Sequence, residues 1–320
     1  MDGIDRKRDK LIDKIVFLVL GFFALFLGLL YPLFVGFSLV KESWLAIERF
    51  GVIGFIFGTV WDPVQEIFGG LPALVGTLLT TFIASFIAIP VCIGIAIFIT
   101  ELSPRPLKPI FTTAVELLGA IPSIIYGMWG FFIIAPFMAD YVEPFLQETL
   151  MDIPVIGKFF DGIPTGIDLL TSSFVLSIMI IPFMASIVKD AFEMTPQILK
   201  EAGYGMGSTK WEVIKDVVIP YSFPGIVGGA VLSIGRALGE TMAVAFLTGN
   251  VHQIPKTLFD QLTTITVAIA NEFTEAHEDI YLSSLYYLAL ILFVMSFLLL
   301  ILSKFLIFKR LEKKWKVTEV

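Results

Sequence analysis

The chain has one cysteine and two histidines in 320 residues. A single thiol, Cys92, excludes an internal disulfide and a cysteine-based metal site. It lies in an apolar run and reads as packing. His252 and His277 both fall outside the apolar runs, so neither a His-rich metal centre nor a His-driven proton relay is expected. Charge is scarce as well, at 16% of residues. No G-x-x-x-x-G-K-[ST] occurs anywhere, which leaves the chain without a phosphate-cradling loop for ATP. No A-x-A site follows the first apolar run, so that run is expected to remain as an uncleaved span.

What is present in excess is apolar. Hydrophobic residues make up 57% of the chain, with 31 phenylalanines, and mean hydropathy is positive. These values define a multi-span, all-α membrane protein. Six runs are long enough to cross a bilayer: Ile15–Val40, Leu71–Thr100, Ile110–Ala139, Ile167–Val188, Tyr221–Leu247 and Tyr281–Phe308. Within Lys41–Gly70 the apolar piece Phe50–Val60 is too short to cross and is expected at the interface. Asp140–Gly166 is acidic, and Pro144, Pro154 and Pro164 should break it into short pieces. A second polar segment, Thr248–Ile280, precedes the last span, and a basic tail follows from 309 to 320.

Lysine and arginine placement sets the orientation. Seventeen fall in the N-terminus, the Pro-rich turn at Arg105 and Lys108, the 189–220 loop and the C-terminal end. The opposite side has four: Lys41, Arg49, Lys158 and Lys256. Both termini are therefore expected in the cytoplasm, as six spans require. Asp62, Glu272, Glu275, Glu278 and Asp279 then lie outside, where such charges are ordinarily solvated.

The loop 189–220 has a pattern of its own. Its polar segment runs Glu201-Ala202-Gly203, then Gly207, then Val217-x-Ile219-Pro220. Helical spacing sets Ile198, Ala202 and Gly205 on one side of a short helix, with Lys200 and Glu201 on another. Glycines between Gly203 and Gly207 should stop that helix, because glycine takes the left-handed conformation at a C-cap without strain. Trp211–Val218 should restart as an amphipathic helix leading to Pro220. A stiff helix–turn–helix of this kind fits a groove on another protein.

The fifth span holds a charged pair. From Pro220 to Arg236 a helix rises about 24 Å at ~1.5 Å per residue, which places Arg236 deep in the bilayer. A central arginine costs roughly 2.5–3.5 kcal/mol on insertion scales, so it should face protein or water. Helical spacing gathers Gly229, Ser233, Arg236, Glu240 and Ala243 on one small and polar stripe, with Val227, Val231, Ile234 and Leu238 opposite. Two readings follow: an Arg236–Glu240 ion pair that locks helices, or an anion ligand whose charge Glu240 balances when the site is empty. Arginine suits the second because its planar fork binds phosphate-like oxygens bidentately and stays charged. Arginine alone does not separate phosphate from sulfate, phosphonate or arsenate. Glu116 and Ser123, beside the helix-breaking Pro122, are further candidates for the path, and Thr77, Thr80, Thr81 and Tyr126 add hydroxyls.

The segment from Glu201 to Pro220 resembles the EAA loop of ATP-binding-cassette importer permeases. Gly203 stands where that family has alanine, and Val217 and Ile219 stand for Ile and Leu. GRALGETMAV (Gly235–Val244), WDPVQEIFGGLPALVGTLLTT (Trp61–Thr81) and VELLGAIPSIIYGMWG (Val115–Gly130) resemble phosphate-importer permeases of the PstC type. The resemblance implies a type I importer permease fold in the cytoplasmic (inner) membrane. It also implies that Glu201, Ala202, Gly203, Gly207 and Pro220 dock on a cytoplasmic ATPase subunit. Arg236, Glu240, Ser233, Glu116 and Ser123 would then meet phosphate. Expected partners are a PstA-like second permease, two ATPase subunits, an extracytoplasmic phosphate-binding protein that touches some of the outer acidic residues, and lipid. Neither a cofactor nor nucleic acid is expected, and the chain itself would be non-catalytic. An ATP-independent anion transporter or channel is the alternative; it too would want Arg236 but has no use for such a loop.

Overall fold

The computed structural model describes residues 2–154 and 156–315, with side chains over 13–154, 156–302 and 305; the end of the tail, 316–320, lies outside the described residues. Six helical runs are long and apolar enough to cross a membrane: Asp13–Glu42, Leu71–Leu102, Ser123–Leu150, Leu169–Glu193, Lys210–Leu238 and Asp279–Leu302.

In chain order, α1 (Asp2–Leu25) passes through a π turn into α2 (Tyr31–Glu42). None of the apolar stretch of this first run is buried by the rest of the chain. Two short helices, α3 (Trp44–Phe50) and α4 (Val52–Phe57), hinge at Gly51 (φ +70°) and lead to a hairpin, β1 (Trp61–Asp62) with β2 (Ile67–Phe68), paired antiparallel. Phe50–Val60 therefore crosses nothing. Helix α5 (Leu71–Ile97) follows, extended by a π turn to Leu102. Helices α6 (Lys108–Gly119) and α7 (Ser123–Trp129) are separated at Pro122, which cannot continue the first helix but presets the entry to the second.

From α7 the chain runs helically through α8 (Ala135–Phe137) and α9 (Glu143–Leu150). This corrects the expected end at Ala139. Pro144 sits in the first turn of α9 behind a π turn at Met138–Val142, and the wider turn accommodates a residue that has no N–H to donate. Asp168 caps α10 (Leu169–Glu193) by accepting from the Thr171 N–H at 2.8 Å. The Thr171 hydroxyl donates to Glu143, fastening α9 to α10. Then come α11 (Gln197–Gly205), α12 (Lys210–Val213), α13 (Ile219–Leu238), α14 (Met242–Ala245), α15 (Ile265–Glu272) and α16 (Asp279–Trp315).

Helix α10 is the axis, packed against α5, α13 and α6. Its seam with α5 is made of small side chains at helical spacing, Ala84, Ala88, Cys92 and Ala96, all fully buried. At the end away from the 189–220 loop a second core gathers Phe55, Trp61, Phe68, Tyr281 and Tyr287.

Beside that second core is a half-buried carboxylate the sequence places among solvated charges. Glu272 accepts from Trp61 Nε1 (2.8 Å), Tyr281 Oη (2.6 Å) and His252 Nε2, and the His252 ring stacks on Trp61. Burial opposes ionisation of Glu272, but the hydrogen bonds from His252, Tyr281 and Trp61 outweigh it and hold the carboxyl below its ordinary pKa. A depressed carboxylate contributes stability above its ordinary pKa and loses it as pH falls through the folded value. Glu272→Gln should therefore destabilise the protein at pH 7 by about 1–2 kcal/mol, and thermal unfolding should show that difference shrinking once pH drops below about 4. A difference constant across pH would contradict this account of the cluster.

Candidate functional site

Helix α13 stops at Leu238, with Gly239 as its C-cap. The stripe expected to carry Arg236 and Glu240 together is thus interrupted between them. Thr266, from α15, donates its hydroxyl to the Glu240 carbonyl at 2.7 Å, a carbonyl no longer used by the helix. The Glu240 carboxylate turns forward and accepts from the Ala243 N–H at 3.1 Å, which caps α14. Broken helices of this kind satisfy their backbone groups through neighbouring segments.

Arg236 is exposed on the surface of the chain. Its guanidinium lies 5.3 Å from the ring centroid of Phe183 on α10, a cation–π contact of about 0.5–2 kcal/mol. Among the described residues no ion pair joins it to Glu240 or any other carboxylate. The inter-helix lock is therefore absent from this conformation.

Ser233 is 1% exposed. It lies on the face that Ser222, Ile226, Gly229 and Ala237 present inward, where Gly229 sits against Ile187 and Val188 of α10. It is thus on the buried side of the helix edge that carries Arg236, and its hydroxyl has no partner among the described residues. Ala243 is likewise fully buried.

Beside the break is a cavity of about 10 Å³, room for one water, bounded by Thr80, Thr81, Glu240, Thr264 and Thr266 among others. The Thr80 hydroxyl is buried there without a partner among the described residues. Helix α7 closes on the break from another side: a Cβ on Gly127 would stand 2.5 Å from the Met242 carbonyl. Ser123, half-buried, begins that helix, and the Tyr126 phenol donates to the Leu118 carbonyl at 2.8 Å. Glu116 is elsewhere. It faces Lys189 at 3.9 Å, and Lys189 is six residues nearer the 189–220 loop than Phe183.

The loop forms the expected pair of helices. Helix α11 ends with Gly207 at φ +87°, and the Gly207 N–H donates to the Tyr204 carbonyl. A capping box follows, Thr209 with Glu212, whose T-x-x-E signature is visible in the sequence. Gly203 packs beneath Val213, where an added Cβ would come within 3.0 Å. Glu201, Ala202 and Pro220 are exposed, as are the apolar Ile198 (72%), Met206 (82%) and Trp211 (61%). Pro220 does not end the second helix, because a π turn at Ile214–Val218 absorbs it and the helix continues into α13. Loop and fifth span are one body from Lys210 to Leu238.

Fold and sequence agree on the class. The family described as the binding-protein-dependent transport system inner membrane component matches residues 91–317, and the chain belongs to it as a multi-pass inner-membrane protein. The fold is similar to the MetNI methionine ABC transporter in inward-facing form (TM-score 0.57, 18% identity, 78% of this chain and 98% of that one). It is also similar to a bacterial alginate ABC transporter in complex with its pentasaccharide-bound periplasmic protein (TM-score 0.57, 16% identity, 93% and 94%). Within the class, the chain is a member of the PstC phosphate transport permease family. It is 52% identical to the PstC protein of Mesorhizobium japonicum, over 86% of this chain and 84% of the relative. To that of Haemophilus influenzae it is 49% identical, over 87% and 88%.

Proposed function

We infer that this chain is the permease subunit of an ATP-driven phosphate importer, conducting the anion across the inner membrane by alternating access. The observation that carries the reading is the exposed guanidinium of Arg236, in the last turn of a membrane-length helix and without a carboxylate partner among the described residues. Such a charge is tolerable only where water, an anion or a second subunit meets it. Its fork suits the oxygens of phosphate. Membership of the PstC family supports phosphate over other oxyanions.

Both termini lie in the cytoplasm in this reading, and two ATPase subunits dock on the 189–220 loops. The exposed Ile198, Met206 and Trp211 offer them an apolar surface on an otherwise polar segment. A PstA-like permease completes the pathway opposite Arg236, and a phosphate-binding protein delivers from outside. ATP binding draws the loops together and opens the outer gate; hydrolysis reopens the path inward. The chain makes and breaks no bond. Glu240 acts here by shaping the helix break rather than by pairing with Arg236. Ser233 contributes from the adjoining, buried face of the same helix, Ser123 from the start of α7, and Glu116 lies on the inward part of the path.

The test is reconstitution of the chain with its permease partner, ATPase and binding protein in vesicles. Phosphate should stimulate ATP hydrolysis and accumulate, and sulfate should do neither. Accumulation in vesicles lacking the ATPase would overturn the reading in favour of an ATP-independent transporter.

A further inference from the structure

The Lys200–Glu101 pair is the most buried lysine–carboxylate contact among the described residues. Its atoms stand 2.6 Å apart, with the side chains 13% and 8% exposed. A buried pair contributes little net stability, because desolvation offsets attraction. What it does is fix two elements in one register, since displacing either breaks a charge pair that is largely shielded from water. Lys200 is on α11, next to Glu201. Glu101 is in the π turn that ends the α5 run.

The same run begins some 31 residues earlier at Leu71, about 45 Å away along a helix at ~1.5 Å per residue. Near that far end Thr77 Oγ1 accepts from the Ile265 N–H at 2.9 Å. One residue before it, Gly76 lies so close to Thr263 that an added Cβ would fall 2.0 Å from the carbonyl oxygen. The start of α15 is thus clamped to α5. The next side chain with a partner is Thr266, whose hydroxyl meets Thr264 Oγ1 at 3.1 Å and donates to the Glu240 carbonyl. Between the two ends, the buried Ala84, Ala88, Cys92 and Ala96 seat α5 against α10. A close-packed seam shifts as a unit rather than deforming continuously.

We propose that α5 is a push-rod between the coupling loop and the helix break, with Lys200 and Glu101 positioning one end and Thr77 and Thr266 the other. The inference rests on the reading that the loop receives an ATPase. Its physical content is that the two sides of the break are driven by different members. Arg236 moves with the loop directly, through the continuous helix from Lys210 to Leu238. Glu240 moves with α5 through α15. Displacing the loop therefore changes the spacing across Gly239, and with it the surroundings of the guanidinium. A chain in which both charges rode one helix would carry them together and change nothing between them.

The experiment uses the full complex in vesicles and reads phosphate taken up per ATP hydrolysed, for Glu101→Lys, Lys200→Glu, the double charge swap and Thr266→Val. The single reversals should still co-purify with the ATPase and hydrolyse ATP, with uptake per ATP down about tenfold. The double swap should restore most of it, which a role in folding alone would not require. Thr266→Val, isosteric and remote from the loop, should give the same partial uncoupling; it decides the matter if a single reversal fails to assemble. Unchanged uptake per ATP in Thr266→Val, or a double swap that assembles and is no better coupled than the singles, overturns the push-rod. An unsubstituted complex that hydrolyses ATP without phosphate uptake would instead overturn the functional reading on which the push-rod rests.

Discussion

Arg236→Lys is expected to lower phosphate uptake by about 10- to 100-fold while leaving the complex assembled, and Arg236→Ala to abolish it. The magnitude follows from the chemistry of the fork. A guanidinium presents two parallel donors to one oxyanion, and lysine presents a point charge. Losing one charge-assisted hydrogen bond costs about 1.5–3 kcal/mol, and each 1.4 kcal/mol is about tenfold. Assembly should survive because Arg236 is exposed and makes no ion pair with a described residue. The cation–π contact with the Phe183 ring is put at risk, and an ammonium can keep it. Radiolabelled phosphate uptake by the reconstituted complex checks it. Near-normal accumulation in the lysine variant would count against direct ligation.

The second large effect is at the loop. Gly207→Pro is expected to abolish co-purification of the ATPase. Gly207 holds φ at +87°, whereas proline is fixed near −65°, so the chain must leave its path. Proline also removes the N–H that reaches the Tyr204 carbonyl. The turn that sets α11 against α12 would open, and with it the packing of Gly203 under Val213. Glu201→Lys probes the same interface without strain, because Glu201 is exposed. It should weaken ATPase recovery with no change in the thermal stability of the isolated chain. Full recovery of the ATPase with Gly207→Pro would show that the loop is not the docking element.

The features legible in the sequence were those fixed by local chemistry. Hydropathy located four of the six spans to within a turn or two; the third began again at Ser123 and ran to Leu150, and the fifth ran from Lys210 to Leu238 rather than from Tyr221 to Leu247. Gly207 stopped α11 because its conformation suits glycine. Other features depended on distant partners. Pro144 looked like a break, yet a π turn before it lets the helix pass, as another does before Pro220. Gly239 fell inside the run Tyr221–Leu247, expected as one span. It became a break because Thr266, remote in sequence, supplies a donor to the Glu240 carbonyl. Glu272 looked solvated; its partners Trp61 and His252 stand 211 and 20 residues away. Ser233 and Arg236 are only about 60° apart on a helical wheel, too little for spacing alone to tell the buried face from the exposed one.

The central claim is that position 236 opens to water by turns from the two sides of the membrane. Thiol labelling of Arg236→Cys in a Cys92→Ala background measures this, the native thiol being fully buried already. A membrane-impermeant reagent should reach position 236 from one side in the nucleotide-free complex and from the other when ATP is locked in place. A position sealed against the reagent in both states would contradict the account.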